Sequence, residues 1–207
     1  MQRHHHFIDL SADPNYTSAD VVAVAECRLI QSDHDQDYAL EGFKIIRNDQ
    51  LDFSHQQPRP PHGLVVYVKE NLNLLDVSCV STKEIEYTAI KFRYRTEVVH
   101  FVALYRSPAC KKEQFEEHCE QLRRMLNTDN NVILCGDFNY DLSDGQNLNI
   151  LRQMQHLFDC SQFIKEPTTD HNTILDLIFS NNHSLSPSVI DCAWSDHRLI
   201  GANVKLV

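Results

Sequence analysis

The feature that most constrains the fold is a set of short apolar runs bounded by charged or turn-forming residues. Residues 20–26 (DVVAVAE), 63–69 (GLVVYVK), 131–135 (NVILC) and 174–180 (ILDLIFS) are too short for stable helices. Their near-continuous apolar character suits strands covered on both faces. Residues 85–95 (IEYTAIKFRYR) alternate apolar with polar, so one face of that strand is wetter, and 97–105 (EVVHFVALY) follow after a short turn. The two read as a hairpin. Residues 198–206 (RLIGANVKL) form a last strand. Two segments instead carry apolar residues at helical spacing. One is 112–127, with Phe115, Cys119, Leu122, Met125 and Leu126; the other is 147–157, with Leu148, Ile150, Leu151, Met154 and Leu157. Strands separated by amphipathic helices predict a layered α/β domain.

At 207 residues the chain suits one well-buried domain spanning 1–207. Residues 1–19 hold no convincing strand and read as an irregular or truncated start, with His4, His5 and His6 a solvated terminus. The stretch 54–62 (SHQQPRPPH) reads as a polar surface loop. No apolar run approaches the roughly 18 residues of a membrane span, so no membrane partner is expected. The opening MQRHHHFIDL lacks the features of a signal peptide. The seven cysteines are odd in number, form no CxxC pair, and in part lie within apolar runs. They suit buried free thiols and an intracellular setting, nuclear or cytoplasmic. The net charge of -10 means that any grip on a nucleic acid is local.

Five segments carry chemistry. GDFN, residues 136–139, follows a strand and delivers Asp137 and Asn139 at a sheet edge, where α/β ligand sites form. Taken alone, it is better explained as an Asx turn. SDHRLI, 195–200, holds Asp196 and His197, a pair that can bind a metal or a phosphate, or simply be a surface turn. LDLIF, 175–179, embeds Asp176 among apolar neighbours. A buried carboxylate needs a partner, and a histidine is a natural one. Glu26 ends the strand at 20–26, and Tyr105 ends the one at 97–105, where its hydroxyl can reach a phosphate oxygen or its ring can simply pack.

Taken together, DVVAVAECRL, HGLVVYVKENL, FVALYRSP, NVILCGDFNYDL, EPTTDHNTILDLIFSN and SDHRLI resemble the endonuclease/exonuclease/phosphatase superfamily over roughly residues 18–203. The wording is nearest the apurinic-endonuclease-like domains of mobile elements. The resemblance implies a two-sheet, four-layer α/β sandwich with its site at one edge of the sheets. It implies Glu26 as the principal metal ligand, helped by Asp196. Asp137 would position or deprotonate the attacking water, Asn139 would bind phosphate and orient that water, and His197 would bind the scissile phosphate. Asp176 would orient His197, and Tyr105 would contact the phosphate. An all-oxygen site of this kind suits Mg²⁺, or Mn²⁺. The implied activity is phosphodiester hydrolysis, with DNA as substrate and a place in a larger polyprotein carrying a reverse transcriptase or helicase. Hydrolysis of lipid or sugar phosphates is the second reading, and a truncated, inactive domain the third. The family normally opens with a strand carrying an asparagine, N-x-x-x-L. Residues 1–19 hold none, so the first strand is expected to be missing. His62-Gly63 stands where the family often has Gly-Gly. Trp194 could stack on a base at the rim or serve as packing.

Overall fold

The structure, a computed structural model, describes Leu10 and residues 12–50, 62–126 and 131–206. His4, His5, His6 and all of the proline-rich stretch except His62 lie outside these residues. Eleven strands are described: β1 (Val21–Ala25), β2 (Phe43–Asn48), β3 (Leu64–Lys69), β4 (Asn73–Ser81), β5 (Ile85–Tyr94), β6 (Glu97–Arg106), β7 (Asn131–Asp137), β8 (Ser161–Gln162), β9 (Asp176–Ser180), β10 (Ser186–Ile190) and β11 (Leu199–Asn203). The helices are α1 (Pro14–Thr17), α2 (Lys112–Met125) and α3 (Leu148–Phe158).

The strands form a six-stranded sheet in the order β4-β5-β6-β7-β9-β8, a three-stranded sheet β1-β3-β2, and a separate pair β10-β11. β5 and β6 form the hairpin that alternation predicts, turning through Arg95 in the left-handed region (φ 54). β6 and β7 are parallel, with α2 as the connection between them. Because strand side chains alternate, the large sheet has two different faces. Ile85, Tyr87, Val102, Leu104, Val132, Leu134, Leu177 and Phe179 pack with Phe115, Cys119 and Leu122 of α2 and Met154 and Phe158 of α3. The odd-numbered residues of β6 and β7, Val99, Phe101, Ala103, Ile133 and Cys135, face the three-stranded sheet through Val66 and Val68. The outer side of that small sheet is covered by Leu10, Tyr16, Leu29, Tyr38 and Leu40. The layers are therefore helices, large sheet, small sheets and an outer cover containing α1, an α/β sandwich.

Several details differ from the sequence reading. The start is not wholly irregular: α1 forms at Pro14–Thr17, with the Asp13 side chain accepting from the Asn15 N–H and Tyr16 buried. β1 is not covered on both faces. Only Val22 is buried, because β1 pairs with β3 alone and lines an open cleft. β7 runs through Gly136 and Asp137 rather than ending before them. Met125 and Leu148 sit at helix ends and are exposed rather than in the core. All seven cysteines are unpaired, as expected, although Cys79 is exposed on β4.

Candidate active site

One transverse row of the large sheet builds the site. Tyr105 on β6 lies opposite Asp137 on β7, and Asp137 lies opposite Asp176 on β9. On the other side, Tyr105 lies opposite Glu86 on β5. Neighbours in register project to the same face, so these four polar side chains form a line on the face turned toward the small sheets. Gly136 lets β7 lie close against β6 beside this row. It has φ 140, and a Cβ there would sit 1.8 Å from the Leu104 carbonyl oxygen.

Two residues meet the row from the facing layer. Glu26, just past β1, is in the left-handed region (φ 52), and its Oε1 accepts from the Tyr105 hydroxyl at 2.6 Å. His197 stands just before β11, with Nδ1 2.9 Å from Asp176 Oδ2. Asn139, also left-handed (φ 48), donates its backbone N–H to Asp137 Oδ1 at 2.9 Å. Its side-chain amide donates to Asp137 Oδ2 at 3.0 Å and to the Arg106 carbonyl at 2.7 Å. Glu26, Tyr105, Asp137, Asn139, Asp176, Asp196 and His197 all line one cleft. The sequence reading singled out these seven residues, and the fold brings all of them together.

The electrostatics follow from this packing. Burial, then the neighbouring Asp176 carboxylate, raises Asp137 from its ordinary 3.8 to about 7. His197 is raised to about 9 by its hydrogen bond to Asp176, against the opposing effect of burial, so its imidazole is cationic near neutral pH. The Tyr105 hydroxyl is raised above its usual range by burial and by Glu26, so it stays protonated and donates to Glu26.

Several supporting residues were not singled out from the sequence. Thr168 is fully buried, and its hydroxyl accepts from the N–H groups of Leu175 and Asp176, both at 3.1 Å. Its carbonyl accepts the Arg198 N–H at 2.7 Å. Thr168 thus ties the start of β9 to the loop carrying His197. Glu86 is fully buried and accepts from the Gly63 N–H at 2.8 Å, fixing the turn whose His62 ring lies 4.9 Å from that of Tyr105. Burial raises Glu86 to about 7. Arg106 is buried over the Tyr140 ring, with Nη1 3.3 Å from the Asn139 carbonyl. Nothing in the alternation of IEYTAI marks Glu86, because it falls in the polar phase of that segment. Trp194 packs against Tyr16 at 6.1 Å between ring centroids.

Among the described residues, Asp137, Asp176 and His197 place ligand atoms within 4.8 Å of one another. A cationic imidazole is a poor metal donor, however, and Asp176 is already engaged with it. Glu26 and Asp196 are exposed carboxylates on the cleft, and the Tyr105 hydroxyl occupies only Oε1 of Glu26. Carboxylate oxygens of this kind suit a hard divalent cation.

The sequence profile of the Endonuclease/Exonuclease/phosphatase family matches residues 2–197. The chain belongs to this family of phosphoester hydrolases. No sequence among curated proteins matches it. An endonuclease/exonuclease/phosphatase family protein from Leptotrichia buccalis superposes with a TM-score of 0.69 at 18% identity, over 99% of this chain and 93% of that one. The endonuclease domain of TRAS1, a telomere-specific non-LTR retrotransposon, gives 0.68 at 16% identity, over 97% and 92%. Sphingomyelinase C from Streptomyces griseocarneus gives 0.66 at 15% identity, over 98% and 92%. At these identities the likeness establishes the fold. Among the described residues no helix is long and apolar enough to cross a membrane.

Proposed function

We propose that this chain is a divalent-cation-dependent phosphodiesterase that nicks DNA. The observation that supports this reading best is the row Tyr105–Asp137–Asp176, met by Glu26 at one end and His197 at the other. In this reading Glu26 and Asp196 hold Mg²⁺, or Mn²⁺. An ion held there would supply positive charge to offset the negative charge that develops as a phosphoester is cleaved. Asp137, ionised above about pH 7, takes a proton from the attacking water. Two hydrogen bonds from Asn139 hold that carboxylate in place. The His197 imidazolium, oriented by Asp176, donates to a phosphoryl oxygen and opposes the negative charge that builds there. Water oxygen bonds to phosphorus as the ester P–O bond on the opposite side breaks.

DNA is favoured as substrate by the resemblance of the LYRSP and LDLIF segments to mobile-element endonucleases. A larger polyprotein with a reverse transcriptase or helicase is the corresponding context. The net charge of -10 favours a second reading, hydrolysis of small lipid or sugar phosphoesters, which need no extended basic surface. The test is Mg²⁺-dependent nicking of supercoiled plasmid, run beside sphingomyelin, a sugar phosphate and bis-(p-nitrophenyl) phosphate. Nicking that requires metal and Asp137 supports the first reading. Turnover of only the small substrates moves it to the second. No turnover of any substrate leaves a domain retained as a fold alone and overturns both.

A further inference from the structure

Tyr105 and Arg106 are adjacent on β6, so their side chains leave the large sheet on opposite faces. Tyr105 faces the catalytic row and holds Glu26. Arg106 points to the face covered by α2 and α3, beside Phe115, and is only 5% exposed. A buried cation is costly unless its donors are met. Among the described residues no carboxylate pairs with this one. Its guanidinium lies 3.8 Å from the centroid of the Tyr140 ring, and Nη2 donates to the Cys110 carbonyl, between β6 and α2. Nη1 is directed at the loop after β7, 3.3 Å from the Asn139 carbonyl oxygen and 3.5 Å from that of Phe138. The Arg106 carbonyl in turn accepts from the Asn139 side-chain amide at 2.7 Å. Arg106 therefore grips Asn139 twice, with the guanidinium on its carbonyl and the main chain on its amide.

We propose that Arg106 is a positioning residue for Asp137, acting through Asn139. Asn139 is in the left-handed region (φ 48), which a residue with a side chain keeps only where its surroundings fix it. From that conformation it gives both its backbone N–H and its side-chain amide to the Asp137 carboxylate. The guanidinium supplies the fixing from the helix side of the sheet. Its planar fork holds several donors at set angles, and these reach the carbonyls of Cys110, Phe138 and Asn139 together. A lysine brings the charge as a single point and lacks the fork. The competing role is purely structural, a tie between the β6–α2 loop and the end of β7. The two contacts with Asn139, which itself holds Asp137, favour the positioning role. The consequence for turnover rests on the phosphodiesterase reading; the effect on Asn139 does not.

The test compares the 207-residue parent with Arg106→Lys and Arg106→Gln. It follows amide exchange in the absence of substrate and turnover of bis-(p-nitrophenyl) phosphate in Mg²⁺. Asp137 Oδ1 protects the Asn139 N–H in the parent. Exchange there should quicken at least about tenfold in at least one variant, while the β5–β6 ladder keeps its protection. In that variant kcat should fall about 10²-fold with KM unchanged, the cost of a base displaced by about 1 Å beside a substrate that still binds. In an Asn139→Ala background the same substitution should cost about threefold or less, because the amide it positioned is gone. The proposal is overturned if Asn139 exchange is unchanged, or if it quickens only in step with the β5–β6 ladder. It is equally overturned if the loss appears in KM, or if the Arg106 substitution costs as much with Asn139→Ala as without it. A parent that turns over no phosphodiester overturns the functional reading alone, and exchange at Asn139 then decides the positioning role by itself.

Discussion

Asp137→Asn separates what the fold tolerates from what the chemistry needs. The carboxyl is raised from 3.8 to about 7, mainly by burial. At 1.36 kcal/mol per tenfold, the ionised group costs the metal-free fold about 4 kcal/mol at pH 8. Asparagine carries no charge, but it loses the acceptor that Asp137 Oδ2 offers the Asn139 amide, worth about 1–2 kcal/mol. The variant should therefore be more stable than the parent by about 2–3 kcal/mol at pH 8, or about 5–10 °C for a chain of this length. The sign follows from proton binding. Between pH 3.8 and about 7 the folded parent holds a proton that the unfolded chain has released. The parent thus loses stability as pH rises through that window and is level above it. The variant's advantage should grow across the same window, and near pH 4 it should be gone, leaving only the lost hydrogen bond of about 1–2 kcal/mol against the variant. Thermal unfolding in chelator at several pH values measures this, while phosphodiester turnover in Mg²⁺ should fall by about 10²–10⁴. A variant that melts no higher at pH 8, or whose advantage persists unchanged at pH 4, would falsify the account of Asp137 as a strained buried carboxylate.

The other expectations address the groups around it. Turnover should be bell-shaped in pH, rising through about 7 as Asp137 ionises and falling through about 9 as His197 loses its proton; a profile flat from pH 6 to 10 would remove both roles. Tyr105→Phe deletes the donor that holds Glu26 Oε1 and should weaken Mg²⁺ binding by about 10–100-fold, read by titrating the metal; unchanged affinity would mean that Glu26 is not the ligand. Gly136→Ala forces a Cβ to 1.8 Å from the Leu104 carbonyl oxygen, a backbone clash that should cost more than about 4 kcal/mol in denaturant unfolding. Thr168→Val keeps the shape but leaves the N–H groups of Leu175 and Asp176 without their hydroxyl acceptor, and should destabilise by about 2 kcal/mol.

What could be read from the sequence follows from how each element is buried. β3, β7 and β9 are nearly continuous apolar runs because the layers cover both of their faces, and a run so short and so apolar fits few other places in a fold. β2, β4, β8 and β10 escape the sequence reading for the opposite reason. Each is the outer strand of its sheet, and β4 and β10 are largely exposed. Asn73, Asp76 and Ser78 in β4, and Pro187 in β10, are residues that an edge position tolerates and a central one does not. Asp176 was legible because an acid amid LDLIF violates the local pattern. Glu86 is as deeply buried, but it falls in the polar phase of an alternating strand, where a polar residue looks ordinary. Only the register shows that it is on the covered face.

The site itself lies in that register, which local sequence does not encode. The spacing from Tyr105 to Asp137 to Asp176 means nothing until β6 pairs parallel with β7 and antiparallel with β9. A shift of one residue in either ladder would turn an acid toward α2 and α3. The apolar phase guards against that slip. Moving Asp137 by one position would bury it against Phe115 and Phe179 and pull Val132 and Leu134, which are fully buried, away from their contacts with α2 and α3. The core thus fixes the pairing, and the pairing aligns the acids and the tyrosine. The remaining freedom is in the facing layer, where Glu26 and His197 are each anchored to the row by one side-chain hydrogen bond. Those two bonds tie the residues flanking β1 and β11 to the same row, so the register of the large sheet also sets where Glu26 and His197 stand.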